Sequence, residues 1–269
     1  SAGYTRPMRP TVPDMRTLIV GGGGFVGLAI AERLLSVGRP VVLFDRFVPA
    51  AALAALRRVG PDCAAVTGDV RDPAALAALL APGFDAVVCG AAITADGVAD
   101  AADPEAILDV NLTSLVRVLR AARDAGVRRV VNLSSVAALG AAAFPAATPT
   151  DVESPSLLDE GRAADPVGLY GITKFAGERV AARLADLWGL DVRSVRLSAV
   201  FGRWERLTGV RSTPSPQFQI AAHALAGRPA LLDRPGLRDW IYAPDVADAV
   251  LRLIDAPAPV HALYHVSNP

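Results

Sequence analysis

Apolar residues in this chain fall into short β-branched runs that alternate with Ala/Leu-rich stretches of helical period. Residues 17–20, 41–44, 64–67, 86–89, 129–133 and 192–197 read as strands. Residues 28–37, 50–59, 73–80, 103–125 and 169–187 read as the helices between them. Punctuation supports these bounds. Gly38 and Gly126 stand where helices stop, and Asp72-Pro73 forms an N-cap followed by a proline in the first turn. Strand–helix alternation of this kind predicts an α/β fold, a parallel sheet wound on both faces by helices. After Gly202 the pattern loosens. Residues 204–216 have little periodicity, 218–226 read as a helix, 230–232 as a short strand and 244–254 as a helix. The expected organisation is a flexible leader over 1–16, a main domain over 17–202, and a small C-terminal lobe over 203–269 interleaved with it.

Composition narrows the function classes. Lys plus Arg equals Asp plus Glu at 27 each, so the chain lacks the basic excess of a nucleic-acid binder. No apolar run is long enough to span a bilayer, and the proline-bearing start has no signal-peptide core. Two cysteines in or beside strands, Cys63 and Cys89, do not suggest a disulfide framework, and a cytoplasmic location is expected. The three histidines form no ligand pair, so no metal is expected.

The chemistry is concentrated in two places. Gly21, Gly24 and Gly27 stand in Gly-x-x-Gly-x-x-Gly spacing directly after the first strand, with Phe25 and Val26 opening the next helix. Such a turn lets a pyrophosphate approach backbone N–H groups at a helix N-terminus, which is the Rossmann-type dinucleotide seat. Asp45 ends the second strand, where a carboxylate accepts the adenosine ribose hydroxyls and repels a 2′-phosphate, so NAD is expected. Arg46 beside it is able to meet a 2′-phosphate or stack on adenine. Asp69 and Val70 after the third strand, and Ala91 and Ala92 after the fourth, are further cofactor candidates.

Tyr170 and Lys174 lie one helical turn apart on one face. An ammonium there favours the phenolate, making the tyrosine a general base for a hydroxyl or an acid for a carbonyl. Lys174 is also placed to reach the nicotinamide ribose. Ser134 and Ser135 close the fifth strand at the sheet edge where ligands bind, and either hydroxyl is able to orient a substrate oxygen. Asn111 is a poor helix former in mid-helix, suited to bending the helix or to holding a proton-relay water.

Taken together, these motifs resemble the extended short-chain dehydrogenase/reductase family, the NAD-dependent epimerase/dehydratase group, from about residue 17 onward. Gly21 to Gly27, Gly68-Asp69-Val70, Asp109-Val110-Asn111, Leu133-Ser134-Ser135 with Gly140, Tyr170 to Lys174, Arg238-Asp239-Trp240 and Tyr264-His265-Val266 carry the resemblance. It implies catalysis by Ser135, Tyr170 and Lys174 with Asn111. It places Ser135, Ala199 and Arg238 against a sugar-like substrate, and it implies a homodimer through residues 104–125 and 169–187. Arg203, Trp204, Glu205, Arg206 and Arg211, in the stretch after Gly202, are further candidate substrate contacts. The spacing of Ser135 to Gly140 selects it over Ser134. Departures shape the expected reaction. Val136 and Ala137 replace the acidic pair of sugar dehydratases, Leu139 replaces a tyrosine, and Ala199 replaces an asparagine near the diphosphate of epimerase substrates. The expectation is an NAD-dependent oxidoreductase acting on a secondary alcohol of a sugar or sugar-like compound. A cofactor-retaining nucleotide-sugar epimerase is the alternative, and a non-catalytic dinucleotide-sensing protein is the rival from another class.

Overall fold

A computed structural model of the chain describes residues 15–94, 97–140, 160–207, 214–231 and 239–267. The strands are β1 (Thr17–Val20), β2 (Val41–Asp45), β3 (Cys63–Thr67), β4 (Ala86–Cys89), β5 (Arg129–Ser135), β6 (Val192–Leu197), β7 (Ala199–Phe201), β8 (Trp240–Tyr242) and β9 (Leu263–Val266). The helices are α1 (Phe25–Ser36), α2 (Ala50–Val59), α3 (Pro73–Leu80), α4 (Gly97–Ala102), α5 (Pro104–Leu108), α6 (Ser114–Asp124), α7 (Leu169–Trp188), α8 (Pro216–Leu225) and α9 (Ala243–Asp255).

Seven strands form one parallel sheet in the order β3-β2-β1-β4-β5-β6-β9. The order reverses direction at β1 and β4, so the strand ends there open a crevice, the place where ligands bind in doubly wound sheets. Strand alternation divides the core. Ile19, Val41, Leu43, Val88, Val131 and Val195 face α1 and α9, while Leu18, Val20, Val42, Phe44, Val87 and Val130 face α3 and α6. With helices on both faces, nearly every position of the central strands is apolar.

The helix expected over 103–125 is interrupted. α5 passes through a π-helical turn, Asp109–Thr113, into α6, and Asn111 sits in that turn. π-turns frequently mark functional sites. Asp72 caps α3 as expected, accepting from the N–H groups of Ala74 and Ala75. Ala230 and Leu231 are not in a strand, contrary to the sequence reading of 230–232. Proline and glycine neighbours leave that run without a period-2 surface to pair. The short β7–β8 pair was not foreseen; Ala199 N–H donates to the Asp239 carbonyl at 3.2 Å.

The C-terminal part returns to the main body. β9 is the seventh strand and α9 packs along α1. Arg129, buried at the start of β5, holds this return. Its guanidinium donates to the carbonyls of Leu253, Ile254 and Ala256 at the end of α9 and pairs with Asp191 at 2.6 Å. A cation at a helix C-terminus meets the negative end of its dipole and its unpaired carbonyls.

Candidate active site

The glycine turn joins β1 to α1. Gly21 has φ of 81°, and a Cβ there would lie 2.5 Å from the Ala91 nitrogen. The turn therefore needs glycine both for its left-handed backbone and for its contact with the end of β4. A Cβ on Gly27 would fall 2.6 Å from the Gly21 carbonyl oxygen, so α1 can start against the turn only without a side chain there. Gly24 is the N-cap of α1 and offers no side chain of its own to the first-turn N–H groups of Phe25 and Val26. Those donors, together with the dipole of a 12-residue helix, suit a diphosphate.

Asp45, at the end of β2, is aimed at this turn. Its Oδ2 accepts the Gly23 N–H at 3.0 Å and its Oδ1 accepts the Phe47 N–H at 3.3 Å. Two backbone bonds fix the carboxylate beside the diphosphate seat, with lone pairs left for ribose hydroxyls. Asp69 forms a forked ion pair with Arg71, at 2.6 Å for the shorter bond. The bonded guanidinium pulls its carboxyl down to about 2, aided by the charge of nearby Arg46, whose side chain is exposed. Asp69 and Arg46 thus flank the β2–β3 end of the crevice. Val70 is buried, and Ala91 and Ala92 line the end of β4. A glycine cradle that a Cβ would fill, a helix N-terminus and a carboxylate fixed at the end of β2 all fit a dinucleotide.

At the other side of the crevice, α7 brings Tyr170 and Lys174 against β5. Gly171 packs so closely on the turn after β5 that a Cβ would meet the Ala137 carbonyl oxygen at 2.5 Å. This approach sets Tyr170 beside the end of the serine strand. Lys174 is buried, and its Nζ donates to the Leu133 carbonyl at 2.8 Å and lies 5.7 Å from the Tyr170 ring centroid. Burial pushes its ammonium down to about 8, against the opposing pull of Cys89 and Glu178. Cys89 is itself pushed up to about 12 by burial, so its thiol is neutral at any pH where Lys174 titrates and the effective counter-charge is Glu178.

The two serines separate clearly. Ser134 is buried and its hydroxyl donates to Glu178 Oε1 at 2.5 Å. Glu178 is held in turn by Arg196 through two bonds of 2.7 and 2.8 Å. Ser135 is half-buried at the strand end, where its Oγ accepts the Ala137 N–H at 3.2 Å. Ser134 thus belongs to a buried ion-pair network, and Ser135 is the serine at the crevice. Asn111 is buried in the π-turn. Its Oδ1 accepts from Ile93 N–H at 2.8 Å, and its Nδ2 donates to the Ile93 carbonyl and to Thr173 Oγ1 at 3.0 and 3.1 Å. It ties the segment after β4 to the helix that carries Tyr170. Asn111, Asn132, Thr173 and Lys174 line a cavity of about 20 Å³ beneath that helix, room for something the size of water.

The substrate candidates scatter. Ala199 lies in β7. Arg203 turns away to α1, donating to Glu32 Oε1 at 2.7 Å, and stacks over Trp204. Trp204 donates to the other Glu32 oxygen at 2.8 Å. Arg211 and Arg238 lie outside the described residues. Two participants were missed by sequence reasoning, Glu178 and Asp100. Glu178 had a visible signal, one turn after Lys174 on the same helix face. Asp100 Oδ2 accepts the Leu169 N–H at 3.0 Å and so caps α7 from a distant helix, which no local pattern shows. Among the described residues no group of three or more His, Cys, Asp or Glu is placed to hold a metal, and no helix is long and apolar enough to cross a membrane.

This geometry, a glycine turn suited to a dinucleotide and a serine, a tyrosine and a lysine at the same strand ends, suits a dinucleotide-dependent class of enzyme. The NAD dependent epimerase/dehydratase family matches residues 17–266, and the chain belongs to that family. A UDP-glucose 4-epimerase of Mycolicibacterium smegmatis is 31% identical over 247 residues, covering 88% of this chain and 72% of that one. A uronate dehydrogenase of Pseudomonas putida is 29% identical over 197 residues, covering 73% of this chain and 65% of that one. The crystal structure of a Thermus thermophilus UDP-glucose 4-epimerase in complex with NAD superposes with a TM-score of 0.75 at 25% identity, covering 94% of this chain and 78% of that one. The protein is an NAD-dependent enzyme of the extended short-chain dehydrogenase/reductase type.

Proposed function

We propose that the enzyme oxidises a secondary alcohol of a sugar or sugar acid, with Tyr170 as general base, Lys174 as its electrostatic support and Ser135 as the group that orients the reacting oxygen. What supports this reading is that Ser135 ends β5 while α7 packs on that strand with Lys174 bonded to the Leu133 carbonyl and lying 5.7 Å from the Tyr170 ring centroid, at the same strand ends as the glycine turn. Gly21, Gly24, Phe25, Val26 and Gly27 would hold the diphosphate of NAD, and Asp45 the adenosine ribose. When bound, NAD supplies the hydride acceptor. Tyr170 takes the hydroxyl proton of the substrate, and Ser135 donates a hydrogen bond to the oxygen as it becomes a carbonyl. Lys174, positive below about pH 8, stabilises the phenolate form of Tyr170. Ala199, Arg211 and Arg238 are assigned to the substrate side, and residues 203–269 supply its lobe. Arg203 is left out, because Glu32 holds it.

Relatives named as UDP-sugar epimerases favour a second reading, in which the same residues oxidise and then re-reduce a nucleotide sugar with NAD retained. One assay separates the two. The enzyme is given NAD with free uronates, aldoses and polyols, and separately with UDP-sugars. Accumulating NADH with a free sugar or sugar acid supports the dehydrogenase. Interconversion of a UDP-sugar without net NADH supports the epimerase. No conversion of either class overturns both. Tyr170→Phe is expected to retain NAD binding and lose about 10²–10⁴-fold in turnover, and unchanged turnover would remove Tyr170 from its role.

A homodimer through residues 104–125, which span α5 and α6, and through α7, together with a cytoplasmic location, is part of this proposal. Leu108 on α5, and Ile172 and Leu187 on α7, are apolar and exposed at 38% or more, which suits burial against a second copy. Light scattering of the purified protein checks this, and a monomer mass at micromolar concentration would refute it.

A further inference from the structure

Arg206, expected from the sequence to meet the substrate, is instead held at the glycine turn. Its Nη2 donates to the Gly23 carbonyl at 2.5 Å. The same Gly23 gives its N–H to Asp45, so one peptide segment is gripped by the ribose carboxylate on one side and a guanidinium on the other. No other bond of the Arg206 fork is found among the described residues, and the side chain is half-buried.

The segment that delivers Arg206 is anchored by the two residues before it. Trp204 packs on the core cluster beside α1 and donates to Glu32 at 2.8 Å. Glu205 is buried, its carboxylate accepting the N–H and hydroxyl of Ser215 at 2.6 and 2.5 Å. Ser215 is the N-cap of α8, so this strap links the C-terminal lobe to the cofactor turn. Arg206 follows directly and has little freedom to swing away.

The other cations near the crevice have separate tasks. Lys174 is buried against Leu133, Arg71 is paired with Asp69, and exposed Arg46 lies toward Asp69. A dinucleotide diphosphate carries two negative charges. The turn itself supplies only N–H groups and the α1 dipole.

We infer that Arg206 is a cofactor-binding residue, reaching from the C-terminal strap over the glycine turn to meet the diphosphate. The inference rests on the NAD site proposed above and deepens it. Arg206 keeps its bond to Gly23 and turns its open N–H groups to a phosphate oxygen, the planar pairing for which guanidinium is suited.

Calorimetric titration of NAD, ADP and adenosine into the wild type, Arg206→Ala and Arg206→Lys tests this. The alanine variant is expected to bind NAD and ADP roughly 10-fold more weakly and adenosine as the wild type does. The lysine variant, keeping the charge without the fork, should fall between. Equal NAD and ADP affinity in Arg206→Ala overturns the assignment. An equal loss for all three ligands also overturns it, because it would mean that Arg206 only props the turn. A wild-type protein that binds neither NAD nor ADP would instead remove the cofactor site itself, and this inference with it.

Discussion

Lys174 shows at the residue scale how function is set against stability. Its ammonium is buried beside Leu133 and its pKa falls from 10.5 to about 8 through desolvation. The folded state therefore releases this proton before the unfolded chain does. Below about pH 8 the group lowers stability by its full amount, and the deficit vanishes as pH rises toward 10.5. Lys174→Met is thus expected to stabilise the protein at pH 7 by about 1–3 kcal/mol while abolishing turnover, and to lose that advantage near pH 10. Urea denaturation at the two pH values checks this, and a pH-independent difference would refute the desolvation account. The sequence marked Lys174 through its spacing from Tyr170. It carried no sign that the ammonium would be buried, because burial depends on how β4, β5 and α6 close around α7. The choice between Ser134 and Ser135 rested on a resemblance. In the structure the strand's alternation turns Ser134 inward to Glu178 and leaves Ser135 at the edge.

At the element scale, α7 is held by polar contacts that the hydrophobic pattern does not express. Glu178 and Arg196 are both buried and doubly bonded between α7 and β6. Removing one partner of such a pair strands the other charge. Glu178→Gln is therefore expected to cost about 3–5 kcal/mol in chemical denaturation, whereas joint replacement by Glu178→Leu and Arg196→Met should be far milder. A small loss in the single variant would show that water reaches the pair. Helix and strand positions were largely legible, because periods of 3.6 and 2 are written in the order of residues. The π-turn at Asp109–Thr113 was not. Asn111 was noticeable as an awkward residue in mid-helix, but its bonds to Ile93 and Thr173 decide that the helix bulges there.

For the whole molecule, the crevice lies at the carboxyl ends of the paired strands β1 and β4, where the strand order reverses, and its two walls come from distant parts of the chain. A ligand that binds only this assembled state stabilises it by mass action. NAD at one hundred times its dissociation constant should add about 2.7 kcal/mol, seen as a higher melting temperature. NADP at the same concentration should add much less if Asp45, fixed at the glycine turn, takes the proposed ribose role, where its carboxylate would repel a 2′-phosphate. Equal shifts from both would show that Arg46, not Asp45, governs the ribose site.

The order of residues alone determined the alternation of elements, the glycine turn, the acid after β2, and the Tyr170–Lys174 pair. Each of these is a local pattern whose spacing matches a backbone period. Tertiary structure decided the rest. Arg203 went to Glu32 on α1, and Arg206 reached the glycine turn across 183 positions of sequence. Asp100 came to cap α7, Ser134 was drawn into a buried ion pair, and Lys174 was desolvated. The physical reason is common to all five. A polar or charged side chain takes the partner that folding brings within hydrogen-bond reach, and that partner is set by the packing of whole elements rather than by its neighbours in the chain.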